Sequence, residues 1–552
     1  MDPELLPVSY RALLNDREAR FERELASGHF MPLLFPHNFA PPFILIVALL
    51  IPHRHSSVSK LVRCVSYICI LYWTYWNTSN CRTLGLGNGY GVGLVSFWFA
   101  AWSASLLLFN DVQRDFKRIE RSIVALDRKE TQNPPTDSRS ETAKSTALAN
   151  DDSSTNGYRW RQGSAISSLK ASSMSTVETD VVQETYLFRW QGYPETRGHR
   201  LTWILDLISS FRGPWWNFRS STLPPLPDSI PAQVKSTTSK EAKWQTVDLN
   251  STKAAFWFIF RTFAICYIVL DILKVTVMRD PYFWGMISAP PPKPLDALGP
   301  LRSILLTHIY RLSIFILALF TGLTFIPAIP SLIYLSLSLI PGFRRWISIP
   351  MEAPWQYPRL FGPFFSSIMD HGLPGAWSKW WHQLFRPSFT APSAWLFPRL
   401  PTSWQKPPVK LLLFSFTAFT LSGMYHAFGS YTQFADTKPF YGTFMFFFLQ
   451  APGAILQSLL AKLLVPRLPF RPPRWLRRLT NILVFVIWVG VTGPLLADDF
   501  AKGGVWLFEP IPISPLRGLG FGAQGEGWWC WHGKWVTVWR GEEWWNVGLR
   551  IV

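Results

Sequence analysis

Apolar residues in this 552-residue chain are gathered into blocks of 13 to 23, separated by polar, basic or proline-rich stretches. A helix needs roughly 20 apolar residues to cross a bilayer, so many blocks of about this length are typical of a membrane protein. The pattern predicts an all-α, polytopic membrane protein with about eight or nine transmembrane helices. The candidate spans are residues 39–51, 61–76, 91–109, 254–273, 303–325, 326–340, 409–431, 440–460 and 479–496.

The first and sixth blocks are short for a membrane crossing. Residues 326–340 also contain Pro327 and Pro330, and proline removes a backbone N–H donor and clashes with the preceding helical turn. We therefore expect the helix to break between 303–325 and 326–340. Both short blocks are expected to lie at the membrane interface or to re-enter the membrane.

Charge changes this picture only in the loops. A net charge of +19 is compatible with binding to nucleic acid, to anionic lipid or to an anionic substrate. In a polytopic membrane protein, however, basic loops set the orientation, so we expect no nucleic-acid partner. Basic residues between the first two spans and after the third predict that both of these loops are cytosolic. They are Arg54, Lys60, Arg63, Lys117, Arg118 and Arg121, whereas residues 77–90 carry only Arg82.

Composition divides the chain into five predicted segments. Residues 1–126 hold N-terminal membrane helices, and residues 127–184 are rich in Ser, Thr, Asn, Asp and Lys without apolar periodicity. Such a stretch cannot bury enough surface to offset its ordering entropy, which predicts a disordered cytosolic insertion. Residues 185–250 are interpreted as an amphipathic interfacial segment, 251–500 as the membrane core and 501–552 as a Trp-rich tail.

Within the interfacial segment, apolar residues recur at the spacing of one helix face. Tryptophan rings are favoured at the depth of the lipid headgroups, so the flanking tryptophans are expected there. The stripe consists of Leu201, Ile204, Leu205 and Ile208, and the tryptophans are Trp203, Trp215 and Trp216.

Several familiar chemical motifs are missing from the sequence. The five cysteines form no CxxC pair, so neither a disulfide framework nor a zinc site is indicated. The two histidines at 53–55 stand in a basic loop and are interpreted as solvated. No GxSxG sequence marks a nucleophilic serine. We predict no bound metal and no tightly bound cofactor.

Two histidines on apolar elements are the candidate chemistry. His382 lies among tryptophans in residues 372–389, and His426 lies within the span 409–431, flanked by the small residues Gly423 and Ala427. An ionisable residue inside a membrane is costly and is by default a candidate functional group. A neutral imidazole can take the proton from an acceptor hydroxyl that attacks a thioester. The second histidine would then position the acceptor or stabilise the oxyanion.

Several stretches resemble the wax synthase-like branch of the membrane-bound O-acyltransferases, in particular fungal enzymes that acetylate terpenoid and meroterpenoid alcohols. The resemblance is carried by WWHQLFR and SGMYH in combination and is supported by three further stretches. Residues 372–379, GLPGAWSK, depart from the lead-in usual in that family. The carrying segments are LFNDVQRDFKRI (108–119), LTWILDLISSFRGPWWNF (201–218), PWQYPRLFG (354–362), WWHQLFR (380–386) and SGMYH (422–426).

The resemblance implies that residues 251–500 form an acyltransferase core in an integral, multi-pass protein of the endoplasmic reticulum. It implies His426 as the catalytic base and His382 as its partner. The substrates would be acetyl-CoA from the cytosol and a lipophilic alcohol from the bilayer, and the oligomeric state stays open. Trp381, Gln383 and Arg386 are the predicted contacts to CoA, with Lys379, Arg399 and Lys406 as further basic candidates near its phosphates.

Position along the helix creates a difficulty for this interpretation. In a straight helix that starts near Val409, His426 would lie ~25 Å along the axis at 1.5 Å per residue. A cytosolic donor would therefore need a tunnel to reach it. The resemblance implies a tunnel, whereas the spacing alone does not.

Three alternatives remain at this stage. A long-chain wax ester synthase would use the same residues with a longer acyl group. An intramembrane prenyltransferase would use Asn110, Asp111 and Asp115 to hold magnesium against a diphosphate, and Asp498–Asp499 is a poor match to the second motif that such an enzyme needs. A non-enzymatic transporter would be expected to show inverted repeats, and none is visible in the sequence.

Overall fold

The computed structural model describes residues 9–53, 57–124, 185–235, 245–246, 249–523, 525–543 and 546–552. The predicted insertion at 127–184 therefore lies outside the described residues. The α-helices are α1 Tyr10–Ala26, α2 Ala40–Leu50, α3 Ser57–Asn80, α4 Gly85–Asn88, α5 Tyr90–Ala104, α6 Val112–Asp115, α7 Arg197–Ser209, α8 Ser229–Lys235, α9 Leu249–Val277, α10 Lys293–Asp296, α11 Pro300–Ser338, α12 Pro341–Trp346, α13 Phe364–Gly375, α14 Arg386–Leu396, α15 Pro407–Tyr431, α16 Met445–Leu464 and α17 Arg474–Gly503.

Short strands form two small sheets at opposite ends of the helices. One sheet has the order β2-β1-β7-β6 and the other the order β3-β4-β5. Because β1 precedes α2 and β3 follows α5, the two sheets lie at different ends of these helices. The strands are β1 Met31–Phe35, β2 Cys81–Arg82, β3 Arg118–Val124, β4 Thr185–Gln191, β5 Gln245–Thr246, β6 Val536–Arg540 and β7 Val547–Ile551.

The prediction of an all-α, polytopic membrane protein is confirmed, with fewer long spans than blocks. Within the described residues, six helices are long and apolar enough to cross a membrane, as judged by length and composition. Helix α2 is only 11 residues long, and α3 is long but carries more polar residues. The six helices are Tyr90–Phe109, Asn250–Val277, Pro300–Ser338, Pro407–Tyr431, Phe440–Arg467 and Arg474–Gly503.

The predicted break at residues 326–340 is wrong. Helix α11 runs for 39 residues without interruption and contains both Pro327 and Pro330. Proline frees the carbonyl four residues before it, here those of Leu323 and Ile326, and membrane helices tolerate this where their surroundings satisfy the freed groups. The hydroxyl of Ser331 adds a hydrogen bond to the carbonyl of Pro327 at 2.7 Å in the same part of the helix. The fifth and sixth blocks are therefore one helix.

A polar layer covers one end of the helices. In this layer the backbone N–H of Ile119 in β3 donates to the carbonyl of Trp215 at 2.7 Å, and that of Arg121 donates to Ser348 at 2.7 Å. Arg118 forms a buried ion pair with Asp206 at 3.1 Å. These bonds join β3, the segment after α7 and the segment after α12. This is the end at which the sequence predicts the cytosol.

Helix α7 is less exposed than the sequence indicates. Trp203 and Trp216 are 0% and 1% exposed and pack against each other with ring centroids 4.9 Å apart. Neither ring faces lipid headgroups, because both fill the core beneath the polar layer. Trp215 instead donates through its indole to the carboxylate of Asp206 at 2.9 Å.

The Trp-rich tail is part of the fold at the other end. Strand β7 pairs with β1 as well as with β6, so the last residues of the chain close a sheet with the first. The indole of Trp531 donates to the carbonyl of Glu509 at 3.1 Å. Lys274 of α9 donates to the hydroxyl of Tyr10 at 2.9 Å and pairs with Glu509 at 3.4 Å. The tail therefore ties both termini to the membrane helices.

Helices α5 and α15 pack with their backbones in close contact. A Cβ atom on Gly93 would overlap the carbonyl oxygen of Phe428, and one on Gly429 would lie 2.9 Å from the ring of Tyr90. The hydroxyl of Thr432 accepts from the N–H of Gly93 at 2.9 Å and donates to the carbonyl of Gly89 at 2.9 Å. Small residues and one threonine thus fix the register of these two helices.

We predict that Gly93→Ala destabilises the protein by about 1–3 kcal/mol, because the added methyl group must force α5 away from α15. The measurement is the apparent unfolding temperature in detergent. The matched control is Gly322→Ala in α11, where a Cβ would meet nothing within 4 Å. Equal unfolding temperatures for the two variants would contradict the close contact.

Candidate active site

The segment that carries His382 is a shaped loop between α13 and α14. A π-helical turn, Ala376–Trp380, follows α13, and the backbone then extends at Trp381. The N–H of Gly362 donates to the carbonyl of Trp380 at 2.9 Å. A proline in the first turn of α14 fits the fixed backbone angle of a helix start. His382 is therefore presented by a loop anchored on both sides.

Gln383 holds this loop closed. Its side-chain amide donates to the carbonyl of Trp377 at 2.7 Å and to that of Trp381 at 2.9 Å. Arg386 donates to the side-chain oxygen of Gln383 at 3.2 Å. Both residues were predicted to contact CoA, and in the structure their hydrogen bonds support the loop around His382.

His382 is enclosed by aromatic rings. Its ring centroid lies 5.1 Å from that of Trp381 and 6.1 Å from those of Phe361 and Phe385. Its Nδ1 atom is buried and has no hydrogen-bond partner among the described residues. Burial, together with the charge of Arg212, lowers the pKa of His382 to about 3. The imidazole is therefore neutral at physiological pH, with a polar atom left free for a bound molecule.

His426 is held by two contacts inside the helical core. Its Nδ1 lies 2.6 Å from the hydroxyl oxygen of Tyr90 on α5. Phe447 of α16 stacks on its ring, with centroids 4.1 Å apart and planes 8° apart. Among the described residues no side chain or carbonyl is bonded to Nε2, which leaves this nitrogen for a substrate.

The two histidines line one cavity of about 220 Å³. Its wall is almost wholly apolar and comes from α5, α11, α15, α16, α17 and the His382 loop. Trp381, Tyr90 and Phe447 are also part of this wall. The structure thus brings together the two residues on which the sequence interpretation depends, although 44 positions separate them in the chain.

A second cavity of about 450 Å³ lies next to the first and is basic. We call it the basic cleft. Among the described residues, none of its four cations has a carboxylate within ion-pair distance. Burial and the charge of Arg219 lower the pKa of Arg212 to about 10, as expected for cations gathered without a counter-ion. The cations are Arg212, Arg219, Arg359 and Lys379.

Trp381 lines both the cavity and the basic cleft, so the two spaces meet at this residue. Arg212 donates to the carbonyls of Arg359 and Pro358, each at 2.9 Å, which joins the segment after α7 to the loop before α13. The cleft thus belongs to the polar layer at the predicted cytosolic end. The cleft therefore lies at the end from which the sequence analysis expects a tunnel toward His426.

Of the basic residues that the sequence analysis predicts near CoA, only one lines the basic cleft. Lys379 lines the basic cleft, and its ammonium lies 2.7 Å from Nε2 of His371. Arg386 does not line it. Arg399 is exposed and stacks over Trp395 at 4.1 Å, and Lys406 is exposed ahead of α15. Sequence reasoning missed Arg212, Arg219 and Arg359, although Arg212 and Arg359 stand inside two of the family-like segments.

The acidic residues of the prenyltransferase alternative are engaged in local contacts. Asn110 donates to the carbonyl of Ser105 at 2.8 Å, Asp115 lies 3.7 Å from Arg114, and Asp498 accepts from Tyr282 at 2.6 Å. In the described part of the chain, no three His, Cys, Asp or Glu residues are grouped so that they could hold a metal ion. The geometry therefore gives this alternative no support.

Comparison with known families agrees with the geometry. Residues 357–449 match the model of the membrane bound O-acyl transferase family, and this stretch contains both histidines and the loop that Gln383 closes. Searches of curated proteins and of solved structures found no match. The family match supports membrane-bound O-acyltransferase activity in general, without specifying donor or acceptor.

We predict that Gln383→Glu destabilises the protein by about 1–3 kcal/mol, because a carboxylate cannot donate to the two carbonyls and leaves them unpaired. The apparent unfolding temperature is the measurement. Gln405→Glu is the matched control, since Gln405 also donates to two carbonyls but lies in an exposed loop where water can replace it. If Gln383→Glu lowered the unfolding temperature no more than the control does, the role of Gln383 in holding the loop closed would be contradicted.

Proposed function

We propose that this protein is an O-acyltransferase of the membrane that transfers an acetyl group from acetyl-CoA to a hydroxyl of a lipophilic alcohol. The acceptor class that we propose is a terpenoid or meroterpenoid of secondary metabolism, and the proposed location is the endoplasmic reticulum. One observation carries the proposal: two histidines line a single apolar cavity that shares a wall with a basic cleft.

The proposed reaction is direct transfer. Nε2 of His426 accepts the proton of the acceptor hydroxyl as its oxygen bonds to the thioester carbon. The carbonyl electron pair moves onto oxygen, and His382 positions the acceptor or donates a hydrogen bond to this oxyanion. Collapse of the intermediate breaks the carbon–sulfur bond, and the proton on His426 passes to the departing CoA thiolate. No serine or cysteine nucleophile is required.

The two cavities suit the two ends of the donor. The basic cleft offers guanidinium groups of the kind that bind phosphate oxygens, so it would hold the nucleotide end of CoA. The acyl end would pass Trp381 into the cavity of the histidines. This assignment replaces Arg386 with Arg212, Arg219 and Arg359 as the principal phosphate contacts.

Cavity size bears on the acyl group. Ligand pockets for drug-sized molecules usually have roughly 300–1,000 Å³, whereas the cavity of the histidines has about 220 Å³. Its volume suits a short acyl group together with the hydroxyl-bearing end of an acceptor. This favours acetyl transfer over the long-chain wax ester alternative.

We predict that His426→Ala abolishes release of free CoA from acetyl-CoA by membranes supplied with a hydroxylated terpenoid, with a loss of about 100- to 10,000-fold. The assay follows the new thiol and the acetylated product together. His308→Ala is the matched control, because His308 lies on the membrane helix α11 and bonds the carbonyl of Gly490, outside the cavity. Near-normal turnover in His426→Ala would refute the base assignment.

We predict that Arg359→Ala raises the KM for acetyl-CoA about tenfold and leaves kcat nearly unchanged, because a contact to phosphate that persists through the reaction is lost. Arg359 is chosen because its guanidinium makes a ring contact with Phe258 rather than a fold-holding ion pair. The exposed Arg399→Ala serves as control.

A second donor sharpens this test. S-acetylpantetheine lacks the phosphates of CoA, so Arg359→Ala should leave its KM unchanged. If the KM values of both donors rose equally, the cleft would not be the phosphate site.

A further inference from the structure

The hydroxyl of Tyr90 is the closest polar group to His426, at 2.6 Å from Nδ1. We propose that Tyr90 is a positioning residue for acyl transfer, which keeps the proton of neutral His426 on Nδ1 and so leaves Nε2 free to act as base. This inference rests on the proposed function. Tyr90 lies far outside residues 357–449, so only the fold brings it to the site.

The position of Tyr90 is set by both helices. It is 9% exposed, is the first residue of α5 and has its ring against Phe500 at 4.8 Å. Gly429 leaves room for that ring one turn beyond His426, since any Cβ there would meet it at 2.9 Å. Thr432 fixes the start of α5 by bonding Gly89 and Gly93. The hydroxyl of Tyr90 therefore has little freedom to leave Nδ1.

The location of one proton decides what His426 can do. A neutral imidazole carries a single N–H, and a hydroxyl can either accept from that N–H or donate to the bare nitrogen, so the contact of 2.6 Å fits both tautomers. The proposed role of His426 as base requires that Tyr90 accepts from Nδ1–H. If Nδ1–H donates to the oxygen of Tyr90, Nε2 presents its lone pair to the cavity. When Nε2 then takes the proton of the acceptor, the same bond stabilises the cation. With the opposite tautomer Nε2 would already carry a proton and could not act as base.

Phe447 restricts the remaining freedom of the ring. Its stacking at 4.1 Å with planes 8° apart keeps the imidazole from turning about its own axis. A ring flip would exchange Nδ1 for a carbon atom and lose the bond to Tyr90. Stacking and hydrogen bond together hold Nε2 toward the cavity, an arrangement that catalytic groups need from their supporting residues.

The test is Tyr90→Phe, which removes one oxygen and keeps the ring that packs on Phe500. We expect kcat to fall about 10- to 100-fold while the KM for acetyl-CoA stays within about twofold. The matched control is Tyr282→Phe. Tyr282 is 5% exposed and its hydroxyl also makes a hydrogen bond of 2.6 Å, as donor to Asp498, but it does not line the cavity. Its kcat should remain that of the wild type.

A second measurement does not depend on turnover. Solid-state ¹⁵N NMR of histidine-labelled protein, with His426→Ala to assign the signal, should show Nδ1 protonated and Nε2 unprotonated in the wild type. In Tyr90→Phe the two tautomers should become mixed.

The outcomes distinguish a failure of the role of Tyr90 from a failure of the proposed function. An unchanged kcat in Tyr90→Phe, equal losses of kcat in both tyrosine variants, or an Nε2-protonated wild type would each overturn the role of Tyr90. A wild type that releases no more CoA than His426→Ala would instead overturn the proposed function, and the NMR result would still decide the tautomer.

Discussion

The close contact between α5 and α15 is the constraint on which the rest of the structure depends. Two helices in lipid gain little from burying apolar surface, so their approach relies on small residues that let backbones touch. Gly93 against Phe428 and Gly429 against Tyr90 supply that contact here. Because His426 lies one turn before Gly429, the same approach that packs the helices also brings the tyrosine hydroxyl to its imidazole. Packing and chemistry are thus set by one interface, and the cavity of the histidines forms where that interface opens toward α16 and α17.

The helix contact is apolar, whereas the polar layer gathers charged residues at one end of the helices. Its buried pair Arg118–Asp206 joins β3 to α7, and Arg212 continues the layer through the carbonyls of Arg359 and Pro358. Pairing neutralises the structural charges, whereas the cations of the basic cleft keep theirs. An anion bound there would complete the electrostatics of the layer. Trp381 lines both this charged compartment and the apolar one.

Sequence reasoning needed only one apolar block at a time to predict a polytopic helical protein. It also singled out the two histidines, because ionisable residues are rare in such blocks, and both line one cavity in the structure. It failed where partners are far apart in the chain. Pro327 and Pro330 look like breaks, although α11 continues through both, and Trp203 looks interfacial until its burial is known. Tyr90 at the start of a span resembles any interfacial aromatic residue, because its meaning comes from a contact 336 positions away.

An apolar cavity disfavours isolated charges, yet the proposed direct transfer suits it. In the proposed reaction the proton that moves to His426 and the negative charge that forms on the thioester oxygen appear in the same step, so the cavity would hold an ion pair of zero net charge. In a medium of low polarity the attraction within such a pair is strong, whereas an isolated charge would be penalised heavily. The permanent charges of CoA are different, because they have no partner that appears with them. The proposal therefore places them outside this cavity, in the basic cleft beyond Trp381.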